Sequence, residues 1–283
     1  MTGINPGDAG AGGGSSGRAA RGVPDPDPGH RVEFVSAGPG DPGLLTLAGA
    51  EALQRCSAVL APGTFQESFA PLLIGKEVGS PFQMPHAEVV AWVEERLPRG
   101  SVAFLIPGDF SSFCPFQSYV AHFGPRGRVL PGVGAHAAAA ALLKRGFDIA
   151  GVAHATVLTS PRASTASGAR VRLRDYARPG HTLILYMNDL PLPELTAELR
   201  AGFGTDVPIA LLERLSLPDE RVTVGTLASL PSLVGERDPF ALAPKHREPA
   251  LALVIAGDAL AATEDPSCWD RRHERLWKPR GVR

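Results

Sequence analysis

The chain has 283 residues, 44% of them hydrophobic and 20% charged, with a formal net charge of −1, the balance of an ordinary globular protein with room for two modest α/β domains. Lys and Arg form no stripe suited to a phosphate backbone, which argues against nucleic acid as a partner. No run reaches the about 20 consecutive apolar residues of a membrane helix, and the N-terminus lacks the apolar centre of a signal peptide, so the cytoplasm is the expected location.

Residues 1–30 are dominated by Gly, Pro, Ser and Ala and cannot bury enough apolar surface to offset the entropy of ordering; they read as a disordered tail. Val32–Ala37 is then a strand candidate stopped by the tight turn Gly38-Pro39-Gly40-Asp41-Pro42. Leu44–Arg55 has the spacing of one helix face, and Ala58–Leu60 is a second short strand. Pro85–Leu97 reads as a helix with Pro at its start. The apolar run Val102–Ile106 ends at Pro107-Gly108-Asp109, and Arg128–Leu130 leads through Pro131-Gly132-Val133-Gly134 into the alanine-rich helix Ala135–Arg145. Strands alternating with helices predict a mostly parallel sheet covered on both faces. From about Val152 the texture changes: Ala155–Thr159, Thr182–Tyr186, Val207–Leu212, Arg221–Val224 and Leu251–Ala256 are strand candidates, with Leu192–Ala201 the one helix between them. This predicts a second α/β domain with longer, antiparallel strands. The expected division is a tail at 1–30, an N-terminal domain at 31–150, a C-terminal domain at 151–260 and a basic, solvated tail at 261–283. Cys56, Cys114 and Cys268 are odd in number and without CxxC spacing, which supports neither a disulfide framework nor a metal site.

Three loops of the first half share one design. Gly38-Pro39-Gly40-Asp41-Pro42, Gly108-Asp109 and Pro131-Gly132-Val133-Gly134-Ala135 each follow an apolar strand. In a parallel sheet such loops gather on one edge, where ligands bind, and glycine lets the backbone approach a ligand closely. The first is neither a GxGxxG nor a Walker pattern, so a dinucleotide or nucleoside triphosphate is not specifically indicated. Singly, each loop is also what a plain turn looks like.

Taken in order, these motifs resemble the tetrapyrrole methylases. Val35–Thr46, with Gly38-Pro39-Gly40-Asp41-Pro42 at its centre, is similar to that family's opening motif; Gly108-Asp109 and Pro131-Gly132-Val133 stand where its later loops fall. Thr182–Met187 is similar to its strand ending in Tyr-Met, and Val207–Ala210 and Leu217–Leu227 to its closing elements. Val157-Leu158-Thr159 and Pro218-Asp219-Glu220 lean towards the precorrin-4 methyltransferase branch. The resemblance implies two α/β domains, a mostly parallel N-terminal sheet and a mixed C-terminal one, with S-adenosylmethionine in the cleft between them, a small-molecule acceptor and a homodimer. It places Pro39, Gly108, Asp109, Gly134, Ala135, Met187 and Ala210 on the cofactor.

The chain also departs from that branch. A His-Ser-Gly-Asp-Pro-Ser-x-Tyr-Gly type stretch is usual there, against Ile106-Pro107-Gly108-Asp109-Phe110-Ser111-Ser112-Phe113-Cys114 here, and Gly134 stands where Ser or Thr is usual. Donor binding is thus expected to be kept and acceptor recognition altered. Asp109 is either a cofactor contact or a turn-forming Asp bonded to its own loop. His136, at a helix N-terminus that disfavours imidazolium, is either a neutral acid–base or substrate-binding group or a packed helix residue. Tyr186 and Arg162, with Ser160 and Ser164, are candidates for the substrate side; Arg170, Arg172 and Arg174 are further candidates for an acidic substrate, and Glu213 and Arg214 either face the cleft or are surface charges. Three activities remain open: methylation of a corrin precursor, methylation of a less charged natural-product intermediate by a diverged member, and cofactor binding without catalysis.

Overall fold

A computed structural model describes residues 29–163, 168–243, 250–263 and 265–274. Residues 1–28 of the expected tail and most of the basic stretch at the C-terminus lie outside them, as does Ser164. Among the described residues, ten strands form two five-stranded sheets. The first contains β1 (Val32–Ser36), β2 (Ala58–Leu60), β3 (Glu77–Gly79), β4 (Val102–Ile106) and β5 (Gly127–Leu130); the second contains β6 (Ala155–Thr159), β7 (His181–Tyr186), β8 (Pro208–Glu213), β9 (Arg221–Thr226) and β10 (Ala252–Ala256). Around them lie helices α1 (Leu47–Arg55), α2 (Gly63–Ser68), α3 (Ala70–Leu73), α4 (His86–Arg96), α5 (Gln117–Phe123), α6 (Ala135–Leu143), α7 (Leu192–Phe203), α8 (Leu230–Val234) and α9 (Ser267–Arg272).

The first sheet runs β3-β2-β4-β1-β5 and every pairing in it is parallel. Its central strands β1 and β4 are buried at every position, as expected of strands covered on both faces. Glu33, the single charge inside β1, is 5% exposed. Its register partner Arg128 on β5 meets it with two hydrogen bonds, at 2.8 and 3.0 Å, a bidentate pairing that removes the cost of an isolated buried carboxylate.

The second sheet runs β6-β7-β10-β8-β9. Its last four strands are antiparallel, as expected, but β6 and β7 are parallel; residues 160–180 cross over between them, too long a connection for a hairpin. Helix α6 joins the sheets. Ala135, Ala138, Ala139, Ala140 and Leu143 belong to one apolar cluster with Ile184 on β7, Ala210 and Leu212 on β8 and Leu253 and Ile255 on β10. Alanine suits that position because a helix with short side chains can lie close to a sheet. The helix expected in the first half thus packs its buried side on the second sheet.

Several boundaries shift for local reasons. The helix expected from Leu44 starts at Leu47: Asp41 Oδ1 accepts from Gly43 N at 2.7 Å and holds a short 3-10 turn, after which Thr46 caps the helix through Gly49 N. Helix α6 stops before Lys144, which takes the left-handed conformation with φ +52°. Part of the stretch read as a C-terminal tail forms α9.

Candidate active site

The order of the first sheet makes β4, β1 and β5 neighbours, and Ser36 pairs with Ile106 while Val35 pairs with Leu130. Their three glycine loops therefore leave the same edge side by side. The loops are tied to one another by backbone. Gly38 N donates to Gly108 O at 3.0 Å and Gly108 N donates back to Gly38 O at 2.8 Å. Both glycines have positive φ, +75° and +74°, a conformation that costs an L-residue about 1–2 kcal/mol. A Cβ at Gly132 would lie 2.4 Å from Ser36 O, so the third loop touches the end of β1 only because it carries no side chain there. Thr46 Oγ1 donates to Pro131 O at 3.2 Å, and the buried Ser36 hydroxyl accepts from Phe110 N at 3.0 Å.

The second sheet presents the ends of β6, β7 and β8 to this edge. Asp41 N donates to Ser216 Oγ at 3.0 Å, and a Cβ at Gly40 would fall 2.6 Å from Leu217 Cδ2. At the start of α6, Tyr186 Oη accepts from His136 N at 3.3 Å and lies 2.9 Å from His136 Nδ1. The Tyr186 ring sits 5.0 Å from that of Phe113. Met187 follows at φ +49° and is 40% exposed. Four of the six non-glycine residues with positive φ among the described residues, Phe113, Met187, Arg214 and Ser216, line this junction. Such concentration of backbone strain is the pattern of a site whose geometry the surrounding fold over-determines.

The arrangement matches one family throughout. Residues 31–231 match the model of the tetrapyrrole (corrin/porphyrin) methylases. The chain is a tetrapyrrole methylase. As such it is an S-adenosylmethionine-dependent methyltransferase. This methylase is 31% identical over 257 residues to the precorrin-4 C(11)-methyltransferase of Pseudomonas aeruginosa, covering 88% of this chain and 98% of that one. It is 32% identical over 247 residues to the enzyme of the same description from Rhodococcus erythropolis, covering 84% and 95%. Among solved structures it is similar to the uroporphyrin-III C-methyltransferase of Thermus thermophilus complexed with S-adenosylhomocysteine, with a TM-score of 0.62, 26% identity and coverage of 81% and 93%. The fold is shared with a cobalt precorrin-4 methyltransferase of cobalamin biosynthesis at a TM-score of 0.66, 24% identity and coverage of 83% and 96%.

Within the methylase the residues named from sequence separate into groups. Gly108, Asp109, Gly134, Ala135, His136 and Tyr186 meet at one corner: a Cβ at Gly134 would lie 2.2 Å from Asp109 Oδ2 and 2.9 Å from His136 Nδ1, and one at Gly108 would be 4.0 Å from Ala135 N. Pro39 lies in the first loop, between the glycine bonded to Gly108 and the glycine pressed on Leu217. Ala210 has no exposed surface and packs beneath α6. Asp109 bonds its own loop, its Oδ1 accepting from Ser111 N at 2.8 Å and from the Ser111 hydroxyl, so the turn-forming reading of this residue describes that oxygen. Arg162 is exposed just past the end of β6, next to β7, and its N–H donates to Ser160 Oγ at 3.2 Å. Three other arginines named for an acidic substrate are paired: Arg170 with Asp189, Arg172 with Asp175, and Arg174 with Glu198 on α7. Glu213 pairs with Arg237 and Arg214 with Asp219. Sequence reasoning missed Phe113, Ser216 and Leu217 as parts of the junction; positive φ at Phe113 and Ser216 carries no signature in residue type.

Two features fit an adenosyl ligand. The space above Gly108 is open, since a Cβ there would meet nothing nearer than 4.0 Å. Asn188, 4% exposed and directly after Met187, has a buried Oδ1 without a hydrogen-bond partner among the described residues, an acceptor left for a donor from outside the protein. A cavity of about 440 Å³ between Pro191, Pro231 and Phe240 shares no residue with the glycine loops and has no part in this site. Burial pushes the Tyr186 phenol up to about 12 from 10.0; the Asp109 charge adds to the rise and the His136 N–H opposes it. Since the folded pKa exceeds the unfolded one, this contribution to stability is complete below about pH 10 and is lost as pH rises towards 12. Urea unfolding is expected to show on the order of 1–2 kcal/mol of alkaline destabilisation that Tyr186→Phe abolishes; equal pH profiles in both proteins would contradict the buried phenol.

Proposed function

We propose that this enzyme methylates a carbon of a corrin-precursor tetrapyrrole, with S-adenosylmethionine held where the three glycine loops meet the Tyr186-Met187 edge. The observation that carries the reading is the convergence of the β1, β4 and β5 loops with the ends of β7 and β8 on one junction. The cofactor, when bound, supplies a methyl group already activated by its positive sulfur. The chain's own task is then positioning and exclusion of water. The backbone of Pro39, Gly108, Gly134 and Ala135 would line the ligand, Met187 would cover it, and Ala210 would set the floor beneath α6. Backbone carbonyls there offer weak C–H···O contacts that orient a methyl group. The Asp109 carboxylate lies at the same corner and favours positive charge there. Precorrin-4 methylation by relatives that align over nearly their whole length supports the tetrapyrrole assignment.

One observation favours a second reading, a less charged natural-product acceptor. A substrate with many carboxylates calls for unpaired Arg or Lys at the rim, yet Arg170, Arg172, Arg174 and Arg214 are each engaged by a carboxylate of the chain. The loop after Gly108 meanwhile contributes the exposed Phe113, packed against Tyr186. The two readings separate in a transfer assay with radiolabelled S-adenosylmethionine. The first expects label in cobalt-precorrin-4; label only in apolar conjugated acceptors would select the second, and tight cofactor binding with no transfer to any acceptor would select a non-catalytic role.

The homodimer belongs to the same proposal. Leu142 on α6 and Val222 and Val224 on β9 are 41%, 38% and 54% exposed, and the two valines pair in register with Leu212 and Ala210, on the face of the second sheet that α6 covers. Uncovered apolar surface of this kind marks an interaction site. Sedimentation is expected to give a two-chain mass that Val224→Glu lowers to one; a monomer in the unaltered protein would contradict it.

A further inference from the structure

Helix α6 opens with a group that the methyl-transfer scheme leaves unused. The His136 imidazole is anchored through one nitrogen, Nδ1, 2.9 Å from Tyr186 Oη, and the backbone N–H of His136 donates to that same oxygen at 3.3 Å. A hydroxyl that accepts one bond from the backbone has its own proton to give to Nδ1. With the phenol donating, Nδ1 is the acceptor and the ring carries its proton on Nε2. Nε2 has no hydrogen-bond partner among the described residues and is not sealed from solvent.

Glycine at position 134 makes the arrangement possible. A Cβ there would lie 2.8 Å from His136 Cε1, 2.9 Å from Nδ1 and 2.2 Å from Asp109 Oδ2. The missing side chain lets an imidazole from α6 and a carboxylate from the loop after β4 share one corner of the rim, which Tyr186 of β7 closes from the other sheet. Asp109 and Tyr186 are the titratable groups that face the ring. Phe113 lies against the Tyr186 ring at 5.0 Å.

We infer that His136 is the specificity-determining donor of the acceptor site: an imidazole whose Nε2–H binds a carbonyl or carboxylate oxygen at the edge of a flat conjugated acceptor, with Tyr186 as the positioning residue that fixes its tautomer. The inference rests on the reading that this junction is the methyl-transfer site. No proton or methyl transfer is assigned to His136.

The test uses the full chain and four variants, His136→Ala, His136→Gln, His136→Asn and Tyr186→Phe, with two probes. S-adenosylhomocysteine reports the cofactor side, and uroporphyrin, a stable tetrapyrrole polycarboxylate, reports the acceptor side. The Gln amide reaches where Nε2–H stands, whereas the Asn amide reaches only the position of Nδ1. Uroporphyrin affinity is expected to fall about ten- to hundred-fold in His136→Ala and His136→Asn, the scale of a lost hydrogen bond to a charged group. His136→Gln should keep most of it, Tyr186→Phe should lose a few-fold, and S-adenosylhomocysteine should bind the three His136 variants as it binds the unaltered chain. Retention by Asn with loss in Gln would show that the Tyr186 contact alone matters and overturn the inference. So would equal uroporphyrin affinity in the unaltered chain and His136→Ala, a selective loss of S-adenosylhomocysteine in the His136 variants, or nitrogen NMR finding His136 protonated on Nδ1 and not on Nε2. Failure of the unaltered chain to bind S-adenosylhomocysteine would instead remove the methyl-transfer reading itself.

Discussion

The reciprocal pair of hydrogen bonds between Gly38 and Gly108 is the contact on which the rest of the site depends. It is an antiparallel bridge just past the ends of the parallel strands β1 and β4, with both residues at positive φ, so the chain turns away while the loops stay joined. A side chain at either position would add a conformational cost of about 1–2 kcal/mol and would intrude on the space the loops enclose. The third loop follows the same rule through Gly132, which lies against Ser36 O at a distance no Cβ tolerates. Three loops from adjacent strands thus form one rim made chiefly of backbone. Such a rim offers fixed amides and carbonyls that need no rotamer ordering when a ligand arrives, a form of preorganisation.

The second constraint is the mating of this rim to the other sheet. Helix α6 carries it: its N-terminus belongs to the third glycine loop and its alanine face lies on β7, β8 and β10. Because the helix is short-chained on that side, small displacements of the sheet would be felt directly at His136 and at the Tyr186 hydroxyl bonded to it. The Asp41–Ser216 and Gly40–Leu217 contacts fix the opposite side of the junction. Positioning catalysis of the methyl-transfer kind depends on this rigidity, since a misplacement of about 1 Å can cost a hundred-fold in rate.

Much of this was legible in the residue order. The buried runs at Val32–Ser36 and Val102–Ile106 identify central parallel strands, and the glycine loops behind them mark the edge where they end. Tyr186-Met187 at the end of β7 was equally visible. Other features arise from tertiary contacts that residue type does not encode. The parallel pairing of β6 with β7 depends on the crossover at 160–180. The ion pairs of Arg170, Arg172 and Arg174 turn three substrate candidates into groups already engaged. Short elements such as α2, α3 and α5 span two turns or fewer, so their local pattern is weak. Gly134 reads in sequence as a lost hydroxyl; the structure supplies the reason for its small size, the Asp109 carboxylate and His136 ring lodged beside it.

Hydrogen–deuterium exchange of the full chain with and without S-adenosylhomocysteine addresses the shared rim most directly. Protection is expected together in the peptides holding Gly38–Asp41, Gly108–Ser111, Val133–His136 and Tyr186–Asn188, drawn from both sheets. Protection confined to one half of the chain, or centred instead on the cavity at Pro191, Pro231 and Phe240, would contradict a ligand held where the two sheets meet.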